Sequence, residues 1–216
     1  ENIELMFRRA YSAGFTQRPD PTVMGAFSGL EIACWDILGK ARNRPVHALL
    51  GGKMNDRIRS YTYLYPEPGQ ESAAFWVDPD AAAEAAVRFM NAGFTAVKFD
   101  PAGPYTIRGG HEPAMADITR AVMPSWRMVS ALAHGERLAT EAEFGTLLRA
   151  GGVEILQPAL GRGGGIWEAK KIAAMAEIFN AEMAPHLYAG PVEWAANVHF
   201  AASIPNLLIA ETIETG

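Results

Sequence analysis

From residue 22 to 42, apolar side chains recur at three- and four-residue intervals (Met24, Phe27, Leu30, Ile32, Ala33, Trp35, Ile37 and Leu38), which predicts an amphipathic helix. Pro45 and Gly51-Gly52 then punctuate the chain. The rhythm shortens over 58–65, where tyrosines alternate with other residues, and this segment reads as a strand closed by Pro66, Pro68 and Gly69. Asp78-Pro79 supplies an N-cap and a first-turn proline for a helix over 80–92, and Gly93 ends it. A strand over 94–99 follows. After a loop rich in Gly and Pro at 101–110, a helix is expected over 112–123, stopped by Pro124. Strands near 129–134, 153–157, 181–185 and 207–211 then alternate with helices around 140–150, 166–179 and 191–202. Strands separated by single helices indicate an α/β fold with a mainly parallel sheet and right-handed crossovers.

Three of these strand-like runs end on a polar group: Glu136, Gln157 and His186. The C-terminal ends of parallel strands are where α/β barrels place their chemistry. An eight-stranded barrel typically needs about 250 residues, whereas 216 residues and six recognisable strands make an incomplete one. The glycine-rich run 161–165 matches neither a P-loop nor a dinucleotide fingerprint and reads as a structural turn into the next helix.

Composition narrows the partners. The chain is 49% hydrophobic and 20% charged, ordinary for a globular protein with a sizeable core. A net charge of -5 with scattered basic residues gives no footprint for nucleic acid or an anionic membrane and leaves small molecules as the expected partners. The single cysteine, Cys34, cannot form an internal disulfide and lies in an apolar helical run, where a small hydrophobe is its ordinary role. No stretch approaches the roughly 20 apolar residues of a membrane span, and no basic-then-apolar leader opens the chain, so a cytoplasmic protein is expected.

The segment Gly-Leu-Glu-Ile-Ala-Cys-Trp-Asp-Ile-Leu-Gly-Lys at 29–40, with Pro45-Val46 and Leu50-Gly51-Gly52 behind it, resembles the cap-domain helix and linker of the enolase superfamily, in its mandelate racemase and muconate lactonizing branch. Similar wording recurs in Ala96-Val97-Lys98-Phe99-Asp100, His134-Gly135-Glu136, Gln157-Pro158-Ala159 and Ala184-Pro185-His186. The resemblance implies two parts: residues 1–56 as the C-terminal helical part of a partial cap domain, and residues 57–216 as a shortened (β/α) TIM-type barrel lacking the family's third and fourth strands. The loops look most like those of sugar-acid dehydratases of the galactonate and mannonate type. Such enzymes abstract the proton α to a carboxylate and then lose the β-hydroxyl as water. Because that proton is weakly acidic, the enediolate needs a divalent cation and a positioned base.

Family members hold Mg²⁺ with three carboxylates on successive strands, an oxygen-rich site suited to that ion. Glu136 matches the third ligand, and the first two have no counterpart because the two βα units that carry them are absent between Met123 and Trp126. His186 matches the family's histidine at the end of the seventh strand, but its usual Asp partner is replaced by Ala159. By the same resemblance, Asp100 occupies the place of a catalytic lysine, Lys98 is expected to face the substrate carboxylate, and Glu211 and His111 are expected to contact substrate. With two strands absent, exposed sheet edges would need a second subunit, so a homo-oligomer is expected. The activity implied is that of a Mg²⁺-dependent lyase acting on a sugar acid. A racemase or cycloisomerase on the same scaffold, a relative that has lost its metal site, and an open six-stranded binding protein are the alternatives.

Overall fold

The computed structural model describes residues 2–13, 20–71, 75, 78–99, 133–151 and 153–213. They fall into two compact units, residues 1–59 with 131–211 and residues 60–130 with 212–216. Asp100, His111, the loop over 101–110 and the helix expected over 112–123 lie outside the described residues.

The first unit opens with helices α1 (Ile3–Ala13), α2 (Pro21–Arg42) and α3 (Val46–Leu49). Asp20 caps α2 by accepting from the Thr22 and Val23 amides, Pro21 fits the first turn, and Asn43 in the left-handed conformation ends the helix. Its buried face carries Met24, Phe27, Ser28, Glu31, Ile32, Trp35 and Gly39, the three- and four-residue spacing read from the chain. Helix α1 was not legible as a helix. It is held by Phe7, which meets Phe27 edge-on with ring centroids 5.7 Å apart, and by an Arg8–Glu4 ion pair one turn apart.

The same unit continues through β3 (Ala133–His134), α5 (Glu141–Ala150), β4 (Ile155–Leu156), α6 (Gly165–Ile178), β5 (Glu182–Met183) and α7 (Pro191–Ala202). Strands β3, β4 and β5 are parallel, with Ala133 opposite Ile155 and Ile155 opposite Glu182. The formal strands are shorter than the apolar runs, but the ladder continues past them. Ala159 bridges His186 in parallel, and Met183 bridges Leu207. The last strand, β6 (Ala210–Thr212), is tied to this wall by Glu211 N–H donating to Pro185 O at 3.3 Å. Ala210 N–H donates to Arg59 O at 2.9 Å, so the last strand runs beside the residue leading into the first.

The core of this unit is built from Phe144, Leu156, Ile166, Ile172, Met183, Phe200 and Ile204, all essentially without solvent contact. Burying each such side chain contributes roughly 1.5–3 kcal/mol. Helix α2 seats on α6 through two polar side chains. Ser28 Oγ accepts the Gly164 amide at 2.9 Å, and the Glu31 carboxylate accepts the Ile166 and Trp167 amides at 2.8 and 2.9 Å. The glycine run therefore does serve as a turn into α6. Gly165 has φ +89, and a Cβ there would overlap the Glu31 carboxylate.

In the second unit, β1 (Ser60–Tyr63) pairs in parallel with β2 (Val97–Lys98), Thr62 opposite Val97. Helix α4 (Pro79–Asn91) is capped by Asp78, and Leu64, Phe75, Ala85 and Phe89 form the small core beneath it. Strand β2 is shorter than the expected 94–99. Phe94 is drawn off the ladder: its amide bonds Phe89 O, and its ring meets the Phe89 ring edge-on. Thr212 Oγ1 donates to Tyr61 O at 3.1 Å.

Candidate active site

Glu136, His186 and Glu211 all belong to the first unit: Glu136 follows β3, His186 follows β5 and Glu211 lies within β6. Glu136 sits in a tight turn after β3, closed by Leu138 N–H bonding Gly135 O at 3.0 Å. The turn needs glycine at 135: φ is +119 there, and a Cβ would run into the Phe144 ring. His186 follows β5 and is fixed through its backbone, with its amide on Pro158 O at 3.1 Å and its carbonyl accepting from Asn197 Nδ2 at 3.4 Å. Asn197 comes from the buried face of α7.

The three side chains converge. His186 Nδ1 lies 2.6 Å from Glu211 Oε2 and 3.6 Å from Glu136 Oε2. Glu211 Oε2 also accepts the Leu187 amide at 3.0 Å. The Glu211 side chain is only 4% exposed and that of His186 14%, while that of Glu136 is 37% exposed and faces solvent at the rim. An ionised carboxylate only accepts hydrogen bonds, so opposite an ionised Glu211 a neutral ring would carry its proton on Nδ1 and its lone pair on Nε2. An imidazole held in this way can give or take a proton at Nε2.

Ala159, three residues beyond β4, has its backbone paired with His186 and is buried, but its methyl group offers no hydrogen bond. Its carbonyl is used in the turn into α6, accepting the Arg162 and Gly163 amides at 3.1 and 2.8 Å. The pairing of His186 with Glu211 was not legible in the chain, because the two residues are far apart in sequence. The missing carboxylate at 159 was the one signal that a partner had to come from elsewhere. Lys98 lies on β2 in the second unit, opposite Tyr63 and half-buried.

A Mg²⁺ cage needs several oxygen ligands around one point. Among the described residues, no three His, Cys, Asp or Glu side chains are grouped to hold a metal ion. Glu136 is the one matched ligand, so the described residues do not fit that group on their own.

Residues 1–51 match a family profile described as the N-terminal domain of mandelate racemase and muconate lactonizing enzyme. Residues 112–216 match one described as enolase C-terminal domain-like. The chain is 31% identical to a D-galactonate dehydratase of Ralstonia nicotianae over 244 positions, covering 91% of this chain and 63% of that protein. It thus spans less than two thirds of the length of that relative. The matched stretch is longer than the 216 residues here, so the relative carries residues inside it that have no counterpart in this chain. Among solved structures, a mandelate racemase/muconate lactonizing enzyme-like protein from Roseovarius sp. TM1035 superposes with a TM-score of 0.86 at 56% identity, covering 99% of this chain and 68% of that one. A mandelate racemase/muconate lactonizing enzyme from Sulfitobacter sp. gives 0.84 at 55% identity, with the same coverage. The mixed α/β arrangement of parallel strands and helices is that of these structures: part of a TIM-type barrel with helices of a cap.

Proposed function

This chain belongs to the enolase superfamily, in its mandelate racemase and muconate lactonizing branch, and from that premise we propose that it dehydrates a sugar acid. The C–H bond α to the substrate carboxylate breaks and its proton passes to a base. The C–O bond at the β carbon then breaks, and the departing hydroxyl takes the Nε2 proton of a His186 ring protonated on both nitrogens, leaving as water and returning the ring to its neutral Nδ1–H form. The enol that remains tautomerises to a 2-keto-3-deoxy acid. The observation that carries this reading is the convergence of the His186, Glu211 and Glu136 side chains in one cluster. Asp100 is proposed as the base and Lys98 as the contact for the substrate carboxylate, with His111 on the substrate side. The similarity to the D-galactonate dehydratase of Ralstonia nicotianae supports an aldonic acid as substrate.

Mg²⁺ is the ion expected of the family, with Glu136 as its ligand here. None of the steps assigned to His186 depends on it. A cytoplasmic, homo-oligomeric protein is part of the same proposal. The single half-buried cysteine supports a reducing compartment.

The test is to incubate the purified chain and Mg²⁺ with a library of sugar acids and assay 2-keto-3-deoxy products. Product from at least one acid is expected, and none from any acid would sink the proposal. A second reading, a relative that keeps the scaffold without catalysis, is favoured by the lack of a three-ligand group among the described residues. Calorimetric titration separates the two: low-micromolar Mg²⁺ binding would overturn the second reading.

A further inference from the structure

Resting on that dehydratase reading, we infer that Glu211 is the positioning residue for His186, taking the place of a carboxylate that Ala159 lacks. An imidazole that moves protons needs its second nitrogen anchored, or the ring turns and both tautomers are populated. Two strands flank His186 in the parallel wall. On one side the bridge partner is Ala159, whose methyl can anchor nothing. On the other side is β6, whose Glu211 amide bonds Pro185 O and whose carboxylate reaches Nδ1 at 2.6 Å.

Glu211 is itself well placed to act as an anchor. Its side chain is almost wholly buried, and the same oxygen that meets Nδ1 accepts the Leu187 amide, so the carboxylate is fixed to the backbone next to the ring it holds. A carboxylate held this way by its Oε2 acts on the substrate through the ring. Glu136, at 3.6 Å and exposed at the rim, is too distant to replace it as a hydrogen-bond partner. The anchor has therefore moved from one neighbouring strand to the other, and Nε2 becomes the reactive nitrogen.

The assignment is tested on the full chain labelled with ¹⁵N-histidine, read by NMR without substrate, so that the answer does not depend on whether dehydration occurs. The wild-type His186 ring is expected to be in the Nδ1–H tautomer. In Glu211→Gln, which preserves shape, and in Glu211→Ala, checked for fold by circular dichroism, that preference is expected to fall toward a mixture. Adding Ala159→Asp to Glu211→Ala is expected to restore it by supplying a carboxylate from the other strand. An unchanged tautomer in both single variants would overturn the assignment. With a turned-over substrate in hand, kcat of Glu211→Gln is expected to drop about 10- to 100-fold with KM nearly unchanged. A raised KM with kcat retained would instead make Glu211 a substrate contact and overturn the positioning role. If the tautomer behaves as expected but no sugar acid reacts, the dehydratase reading fails and the Glu211 assignment stands.

Discussion

Glu31 brings a carboxylate into complete burial, at 0% exposure, where α2 meets the first turn of α6. It accepts two backbone amides of α6 and the Trp35 indole N–H at 2.6 Å, doing from another helix what an N-cap does from its own. Burial holds its carboxyl above the ordinary carboxylate range, the bonds from Trp167, Ile166 and Trp35 pull it down, and the charge of Glu168 raises it further. A raised folded-state pKa means the folded chain keeps a proton that the unfolded chain has released. The contribution of this group to stability is therefore fully present below the ordinary glutamate value and declines as pH rises through the raised one. Replacing Glu31 with Gln leaves a single acceptor for three donors, and urea unfolding at neutral pH is expected to show a loss of about 1–3 kcal/mol. The stability advantage of the wild type over this variant should shrink as pH rises through the window above 4.5. An advantage that grows with pH would contradict the assignment. Glu31 lies inside the stretch that carried the family resemblance, but nothing in the chain announces its partners on α6, which lie more than a hundred residues away.

At the scale of elements, what could be read in advance depended on whether the signal was local. Asp78-Pro79 marks the start of α4, and the structure has Asp78 accepting from the Asp80 and Ala81 amides at 2.9 and 3.2 Å. Asp78→Ala should lower stability by about 1 kcal/mol, measured as a shift in the denaturant midpoint with an unchanged slope. No shift would mean that the cap bonds are replaced by water. Helices α2 and α5 to α7 fall where period and capping put them, because an amphipathic face facing a core is written into a single stretch. Strands are less legible. A two-residue strand such as β4 is defined by its neighbours, and the apolar run around it extends into turns. Helix α1 escaped notice because its buried side chain, Phe7, answers to Phe27 on another helix.

For the molecule as a whole, the shape of the site was only half legible. Glu136 and His186 could be placed at strand ends from the alternation of strands and helices together with the family wording, and they converge there. The departure at Ala159 could be seen as well, and the compensation by Glu211 could not, because only the folded chain brings β6 beside β5. The relative's matched stretch is longer than this chain, so it carries residues without a counterpart here. In the proposed reaction, proton transfer is the step assigned to His186.

The most direct check is to compare wild type and His186→Asn, both shown to be folded, for release of 2-keto-3-deoxy acid from the sugar acid that the library selects. Losing a positioned proton-transfer group should lower the rate by roughly 10²–10⁴-fold. Equal rates in the two proteins would contradict the account.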